Sequence, residues 1–249
     1  MESNPIVKRS LSDEVKKHLK SYIFSLNATE NQKLPSEAVI AEEYGVSRVT
    51  IRRVMGDLEQ EGLVIRIHGK GTFVNHVALK INASLVSGMD FGRLIRQSGY
   101  EATSRVLRYE EEIISSDLAN LMQIGSGEKV IVVEKLYLAN DHPAIISIDR
   151  IPKSYMGRIP KVEDWEKELF FDVLRQSGNI PIRERIEIEA VTKEKMIDDT
   201  AYYNQLENDA FLKISGLIYD YNNQPVDYGI TYYDTKYIRY SLIRGLDVD

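Results

Sequence analysis

The chain has 249 residues, is 43% hydrophobic and 28% charged, and carries a formal net charge of −6. That length suits two domains of ordinary size with packed cores, and the composition excludes a disordered or fibrous chain. With no cysteine there can be no disulfide, thiolate metal site or cysteine nucleophile, which fits a reducing cytoplasm.

His18, His68, His76 and His142 show no ligand spacing, so no metal and no cofactor is expected. No apolar run approaches the roughly 20 residues of a bilayer span. Met1–Pro5 lack the charged-then-apolar pattern of a secretory leader, so the expected location is cytoplasmic. The charge is unevenly spread. Residues 1–75 hold 11 Lys/Arg against 10 Asp/Glu, whereas the rest hold 21 against 28.

Ser10–Leu26 predicts an amphipathic helix, because Leu11, Val15, Leu19, Tyr22, Ile23 and Leu26 recur at three- and four-residue steps. Asn27–Lys33 is a polar connection. Leu34–Val74 then carries most of the information. Ser36 is placed to cap a helix, and Glu37 puts an acid in its first turn. Val39, Ile40 and Tyr44 form an apolar stripe, and Gly45 can end the helix in the left-handed conformation. Ser47 is placed to cap a second helix with Val49, Ile51, Val54, Met55 and Leu58 inward and Arg48, Thr50, Arg52 and Arg53 outward.

Arg48 and Arg52 stand four apart and share a face. Arginine forks match the O6/N7 edge of guanine, and Thr50 suits a phosphate or a thymine methyl. Leu63–Ile67, the turn His68-Gly69-Lys70-Gly71 and Thr72–Val74 read as a hairpin with a cationic tip. Arg66 adds a further cation beside it. This order of elements predicts a helix–turn–helix followed by a wing, with double-stranded DNA as partner.

The stretch LPSE…YGVSRVTIRR…L…EGLV…HGKGTFV resembles the winged helix–turn–helix of the GntR family of bacterial transcription regulators. The resemblance implies DNA contacts from Ser36, Ser47, Arg48, Thr50, Arg52 and Arg53 and from the wing residues Arg66, His68, Gly69 and Lys70. Many relatives carry an arginine after the Ser-Glu pair, where this chain has Ala38.

Residues 1–77 are therefore expected to form a DNA-binding domain, 78–88 a linker and 89–249 a second domain. The second domain contains an internal repeat. Shifting Leu118–Ser147 by 82 residues lays Val130 on Leu212, Val132 on Ile214, Tyr137 on Tyr219, Pro143 on Pro225 and Ser147 on Gly229. Each copy reads as a helix, a turn and a strand hairpin, which predicts a pseudo-twofold α+β domain with one mainly antiparallel sheet. Alternation at Ile186, Ile188 and Ala190 adds a strand. Helices are expected at Phe91–Ser98, Trp165–Ser177 and Lys193–Leu206.

This region resembles the UTRA-type ligand-sensing domain, of chorismate-lyase-like fold, in the HutC branch of the GntR family. The chain as a whole thus reads as α/β with two domains. In sugar-phosphate-sensing relatives two arginines, a glutamate, a threonine and a serine line the pocket. Here Lys135 and Tyr137, Ser147, Gly92 and Glu168 stand at those positions, while a late acid and tyrosine persist as Asp227 and Tyr233. A lysine and a tyrosine grip a phosphate less well than two arginine forks, and Glu168 repels one. The expected effector is therefore a polar molecule of low negative charge, held by Arg93, Lys135, Tyr137, Ser147, Asp149, Glu168, Asp227 and Tyr233.

The sequence has no G-x-S-x-G, H-E-x-x-H or Walker loop, and no catalytic residue is assigned. The expected function is a homodimeric repressor that meets palindromic half-sites and is released by a small-molecule effector. The rival readings are an effector-independent DNA-binding protein and a lyase on the C-terminal fold.

Overall fold

A computed structural model describes residues 11–26, 32–80 and 90–242. The chain falls into two compact units, one of the residues before Gly88 together with those from Tyr240 on, the other Gly88–Arg239.

In the first unit α1 (Leu11–Ser25) is followed by α2 (Glu37–Glu43), α3 (Arg48–Gln60), β1 (Val64–Ile67) and β2 (Gly71–Val74). Ser36 Oγ accepts from Val39 N at 3.3 Å and Ser47 Oγ from Thr50 N at 3.1 Å, so both helices start on the serines that the pattern marked. Both also end alike. Gly45 and Gly62 have φ of 63° and 72°. The amides of Val46 and Leu63 reach back to the carbonyls of Ala41 (3.0 Å) and Leu58 (2.9 Å). Each is a left-handed glycine stop that satisfies carbonyls the helix leaves open. Val15, Leu19 and Ile23 of α1 pack with Ile40, Ile51, Val54, Met55, Leu58, Val64 and Val74 into one core. Val39 and Val49, expected inward, are instead exposed, Val49 at 76%. One turn along α3 the inward stripe is filled by Ile51, Val54, Met55 and Leu58, which leaves Val49 on the outer edge.

The second unit is built on a six-stranded antiparallel sheet. Its strands are β3 (Ala102–Ile113), β4 (Lys129–Ala139), β5 (His142–Pro152), β6 (Arg183–Thr192), β7 (Ala210–Tyr219) and β8 (Pro225–Tyr233). The order β3-β4-β5-β8-β7-β6 has the repeat built into it. β4–β5 is the first hairpin and β7–β8 the second, and they meet along β5–β8. There Ile148 pairs with Ile230, its own counterpart under the 82-residue shift. The local twofold axis runs through that pair.

One face of the sheet packs Leu136, Ile146, Ile148, Ile230 and Tyr232 against Ala119 and Met122 of α5 (Ser116–Met122) and against Met196 and Leu206. On the other face Ile131, Val133 and Ile151 meet Trp165, Val173 and Leu174. Phe91 opens α4 (Phe91–Gln97), as predicted.

Two expected helices differ. Trp165–Ser177 is split into α6 (Val162–Lys167) and α7 (Phe170–Gln176), with Glu168 and Leu169 extended between them. The break lets Trp165 on one helix and Val173 and Leu174 on the other reach the same core. Lys193–Leu206 is two 3₁₀ turns, Lys193–Met196 and Ala201–Gln205. Asp198, Asp199 and Thr200 lie between them, and Thr200 Oγ1 accepts from Tyr202 N at 3.0 Å. Short polar side chains of this kind compete for the backbone and interrupt helices. Of the expected linker, Ala78–Lys80 forms a 3₁₀ turn; the rest lies outside the described residues.

Candidate functional sites: a basic reading edge and a buried polar face

The reading edge is formed by the start of α3 and the wing. Ser47, Arg48, Arg52, Arg53, His68, Gly69 and Lys70 are all exposed, and Thr50 is half-buried, with its hydroxyl 2.9 Å from Ser47 Oγ. The wing turns through His68-Gly69-Lys70, with Gly69 at φ 71° and Lys70 N bonded to Ile67 O at 3.0 Å. Gly71 (φ 112°) holds a backbone conformation that residues with a side chain rarely adopt, and Lys33 Cε packs 2.9 Å from where a Cβ would stand. Leu34 N donates to Thr72 O at 2.8 Å and Val74 N to Gln32 O at 2.7 Å, so the segment before α2 braces the wing.

The arginines divide by role. Arg52 is 74% exposed along its side chain and touches Glu37 only at 3.4 Å. Arg66, exposed like its neighbours, is held along the surface: its guanidinium donates to Glu37 (3.1 Å) and to the carbonyl of Arg52 (3.1 Å), and stands 3.7 Å from Glu59. It ties the wing to α2 and α3. Glu37 was read only as a first-turn acid, yet it anchors both arginines.

In the second unit, six of the eight predicted effector residues share one face of the sheet. Tyr137 pairs with Ile145 and Ile145 with Tyr233; Lys135 pairs with Ser147; Asp149 pairs with Gly229. Strand alternation puts Asp227 on this face too. Phe91 packs edge-on against Tyr137 and Tyr233, with ring centroids 5.1 and 5.9 Å apart.

The charges here are buried. Lys135 donates to the Trp165 carbonyl at 2.6 Å and lies 5.1 Å from the Tyr137 ring centre. Burial lowers its pKa, although Asp149, Asp90 and Glu166 partly offset this. Asp149 accepts from Ser147 Oγ at 3.1 Å. Burial, opposed by that bond and by Lys135, pushes its carboxyl up to about 7. Asp227 is fully buried, with Oδ1 accepting from Arg150 N at 3.1 Å. Burial, then the charges of Asp149 and Glu184, raise it well above the usual carboxylate range.

The other two predicted residues are not part of this set. Arg93 is exposed on α4, and Glu168 is half-buried in the α6–α7 break, bound by Gln176. Three residues were missed: Glu184, Gly216 and Gly229. Mid-strand glycine was the available signal for two of them. An open groove of about 850 Å³ lined by Arg96, Tyr100, Glu101, Asn140 and Asp141 lies at the β4–β5 turn. It contains no buried ionisable group, unlike the polar face.

The first unit coincides with a match to "Bacterial regulatory proteins, gntR family" over residues 11–74, and the second with the UTRA domain over residues 97–239. The chain belongs to the GntR family, in its UTRA-bearing form. It is similar to the HTH-type transcriptional repressor NagR of Bacillus subtilis, 28% identical over 73% of this chain and 74% of that protein. A probable fructoselysine utilization operon transcriptional repressor of Escherichia coli K12 is 28% identical over 78% of each chain. The histidine utilization repressor of Pseudomonas aeruginosa is 26% identical over 72% of this chain and 70% of that one. The crystal structure of the possible transcriptional regulator YydK from Bacillus subtilis superposes with a TM-score of 0.70 at 20% identity. That superposition covers 95% of this chain and all of YydK, and shows the same fold. This GntR-family chain is thus a DNA-binding transcription regulator with an effector domain, and no described helix is long and apolar enough to cross a membrane.

Proposed function

We propose that the protein is a cytoplasmic, non-catalytic, homodimeric repressor. Arg48, Thr50 and Arg52 read base edges, and Ser36, Ser47, Arg53, His68, Gly69 and Lys70 hold the phosphate backbone or the adjacent minor groove. Arg66 orients Glu37 and Arg52 rather than touching DNA. A single head covers few base pairs, and a dimer reading two half-sites supplies the missing specificity. Effector binding to the face of Lys135, Tyr137, Ser147, Asp149, Asp227 and Tyr233 lowers operator affinity through residues 78–88. Arg93 and Glu168 serve at the rim.

One observation carries this reading: exposed, unburied cations lie on a capped helix and its wing, while a separate unit keeps unpaired ionisable groups inside. The buried set favours an effector-responsive regulator over one that merely coats DNA. The named relatives span fructoselysine and histidine utilization. They do not single out a ligand, but the pocket side chains favour one of low negative charge.

The test is selection of bound sequences from a random duplex pool, followed by anisotropy titrations with candidate effectors. A twofold-symmetric motif whose affinity falls with an added small molecule is expected. Recovery of no motif would sink the reading; a motif insensitive to every added compound would leave only its DNA-binding half.

A further inference from the structure

Gly216 of β7 and Gly229 of β8 are register partners in the middle of the sheet. A glycine inside a strand forfeits side-chain packing, and it recurs where another group must approach closely. Here the approaching groups are carboxylates. A Cβ on Gly229 would stand 3.0 Å from Asp149 Oδ1 and 3.6 Å from Asp227 Oδ2; one on Gly216 would meet Glu184 Oε1 at 2.2 Å. Register explains the convergence: Asp149 lies across from Gly229, while Ile218 has Asp227 on one side and Glu184 on the other. Carboxylates from β5, β8 and β6 thus gather over a floor without side chains.

Among the described residues no Lys, Arg or His lies within 4.0 Å of any of the three carboxylates, although Lys135 and Arg150 act on Asp149 from a distance. Lys135 directs its amine to the Trp165 carbonyl. Asp227 is fully buried, and its Oδ2, the oxygen above Gly229, has no hydrogen-bond partner. An orphaned buried acceptor is costly and needs an explanation beyond packing. The described residues offer no three-ligand group arranged for a metal ion. A primary ammonium has three donors and no acceptor, the complement of three convergent carboxylates. Apolar neighbours on the same face, Ile186, Ile214 and Ile218, can receive a short carbon body. Glu184 sits on the exposed edge strand, at the solvent side of the cluster.

We infer that the carboxylates of Asp149, Asp227 and Glu184 gathered over Gly216 and Gly229 accept a primary ammonium of the effector. This rests on the sensing role proposed above only for its consequence at DNA; binding itself is independent of it. Bound cation favours ionised carboxylates, so protons leave on binding and affinity rises with pH through about 7, where Asp149 titrates. The charged groups that set this response are Lys135 of β4, Asp149 and Arg150 of β5, Glu184 of β6 and Asp227 of β8. Asp90 before α4 and Glu166 of α6 act on Lys135.

The experiment is thermal unfolding of the full chain with matched pairs: 2-aminoethanol against ethylene glycol, putrescine against butane-1,4-diol, glucosamine against glucose. At least one ammonium member is expected to raise Tm while its hydroxyl twin does not. Calorimetric titration with that compound should show proton release and at least about tenfold weaker binding in Glu184→Gln, a change on the exposed edge that leaves the core intact. Asp227→Asn should abolish the selectivity. Twins that act equally, no response to any ammonium probe, or a shift that survives both substitutions would overturn the inference. Ammonium binding that leaves operator affinity unchanged would instead uphold this site and remove its sensing role.

Discussion

The head carries its arginines in water, whereas the sheet of the second unit keeps Asp149 and Asp227 out of it. Arg52 is exposed beside a loose contact to Glu37, and solvent stabilises it as well as any partner would. Asp149 and Asp227 have lost their water without gaining a cation in contact. The two arrangements suit two kinds of partner. A polyanion that must be scanned along its length is met by solvated cations, which exchange readily between phosphates. A small ligand that must change an equilibrium is met by groups whose desolvation only that ligand relieves.

Breaking the buried side of this contrast should have the larger effect. Lys135→Met removes the one buried amine near Asp149 and should destabilise the second unit by about 2–4 kcal/mol near pH 8, with Asp149→Asn restoring part of the loss. The chain has one tryptophan, Trp165, packed in that unit's core, so its fluorescence follows this unfolding. Additive losses in the double variant would show that the two groups do not interact.

On the exposed side, Arg52→Ala should cost about 1–3 kcal/mol of operator binding and relax one base-pair position, with the Trp165 transition unmoved. A variant that binds like the parent would disqualify α3 as the reading helix.

Acidity sharpens the contrast. Asp149 keeps its proton in the folded unit up to about pH 7, while an ordinary aspartate releases it near 3.8. The folded state then binds more protons between those values, so stability falls as pH rises from about 4 to 7. The expected change is on the order of a few kcal/mol, at about 1.36 kcal/mol per pKa unit, and Asp227, raised in the same direction, adds to it. It should shrink in Asp149→Asn, with Asp227 supplying the remainder; a rise in stability over that window would contradict the buried-carboxylate description. The smallest effect is that of Lys70→Ala, which should weaken DNA binding regardless of sequence and reduce the salt slope by about 1.

The head was legible because its signals are local. Ser36, Ser47, Gly45 and Gly62 mark helix ends through their own backbone and side-chain chemistry, and the apolar spacing supplies the core. Val49 escaped because a helical stripe has an edge, and periodicity alone does not say which side of that edge a residue takes. In the second unit the 82-residue repeat foretold both hairpins. It did not show that α6 and α7 separate at Glu168, a break set by packing on both sides of it. The carboxylate cluster was half visible: Asp149 and Asp227 were marked, but Glu184 joins them only through the β6–β7 register, which no local pattern encodes. The pairing of Arg66 with Glu37 was hidden for the same reason, since it spans 29 residues.

The pairing of Ile148 with Ile230 bears on how such a domain acquires a new specificity. A tandem duplication begins with two identical hairpins. Residues on the axis touch their own duplicates and are constrained together, while residues one step away are free to diverge. Ser147 and Gly229 occupy equivalent positions in the two copies. One now supplies a hydroxyl to Asp149, and the other is pared down to the bare floor beneath it. The two halves thus differ in chemistry one step from a seam where like still pairs with like.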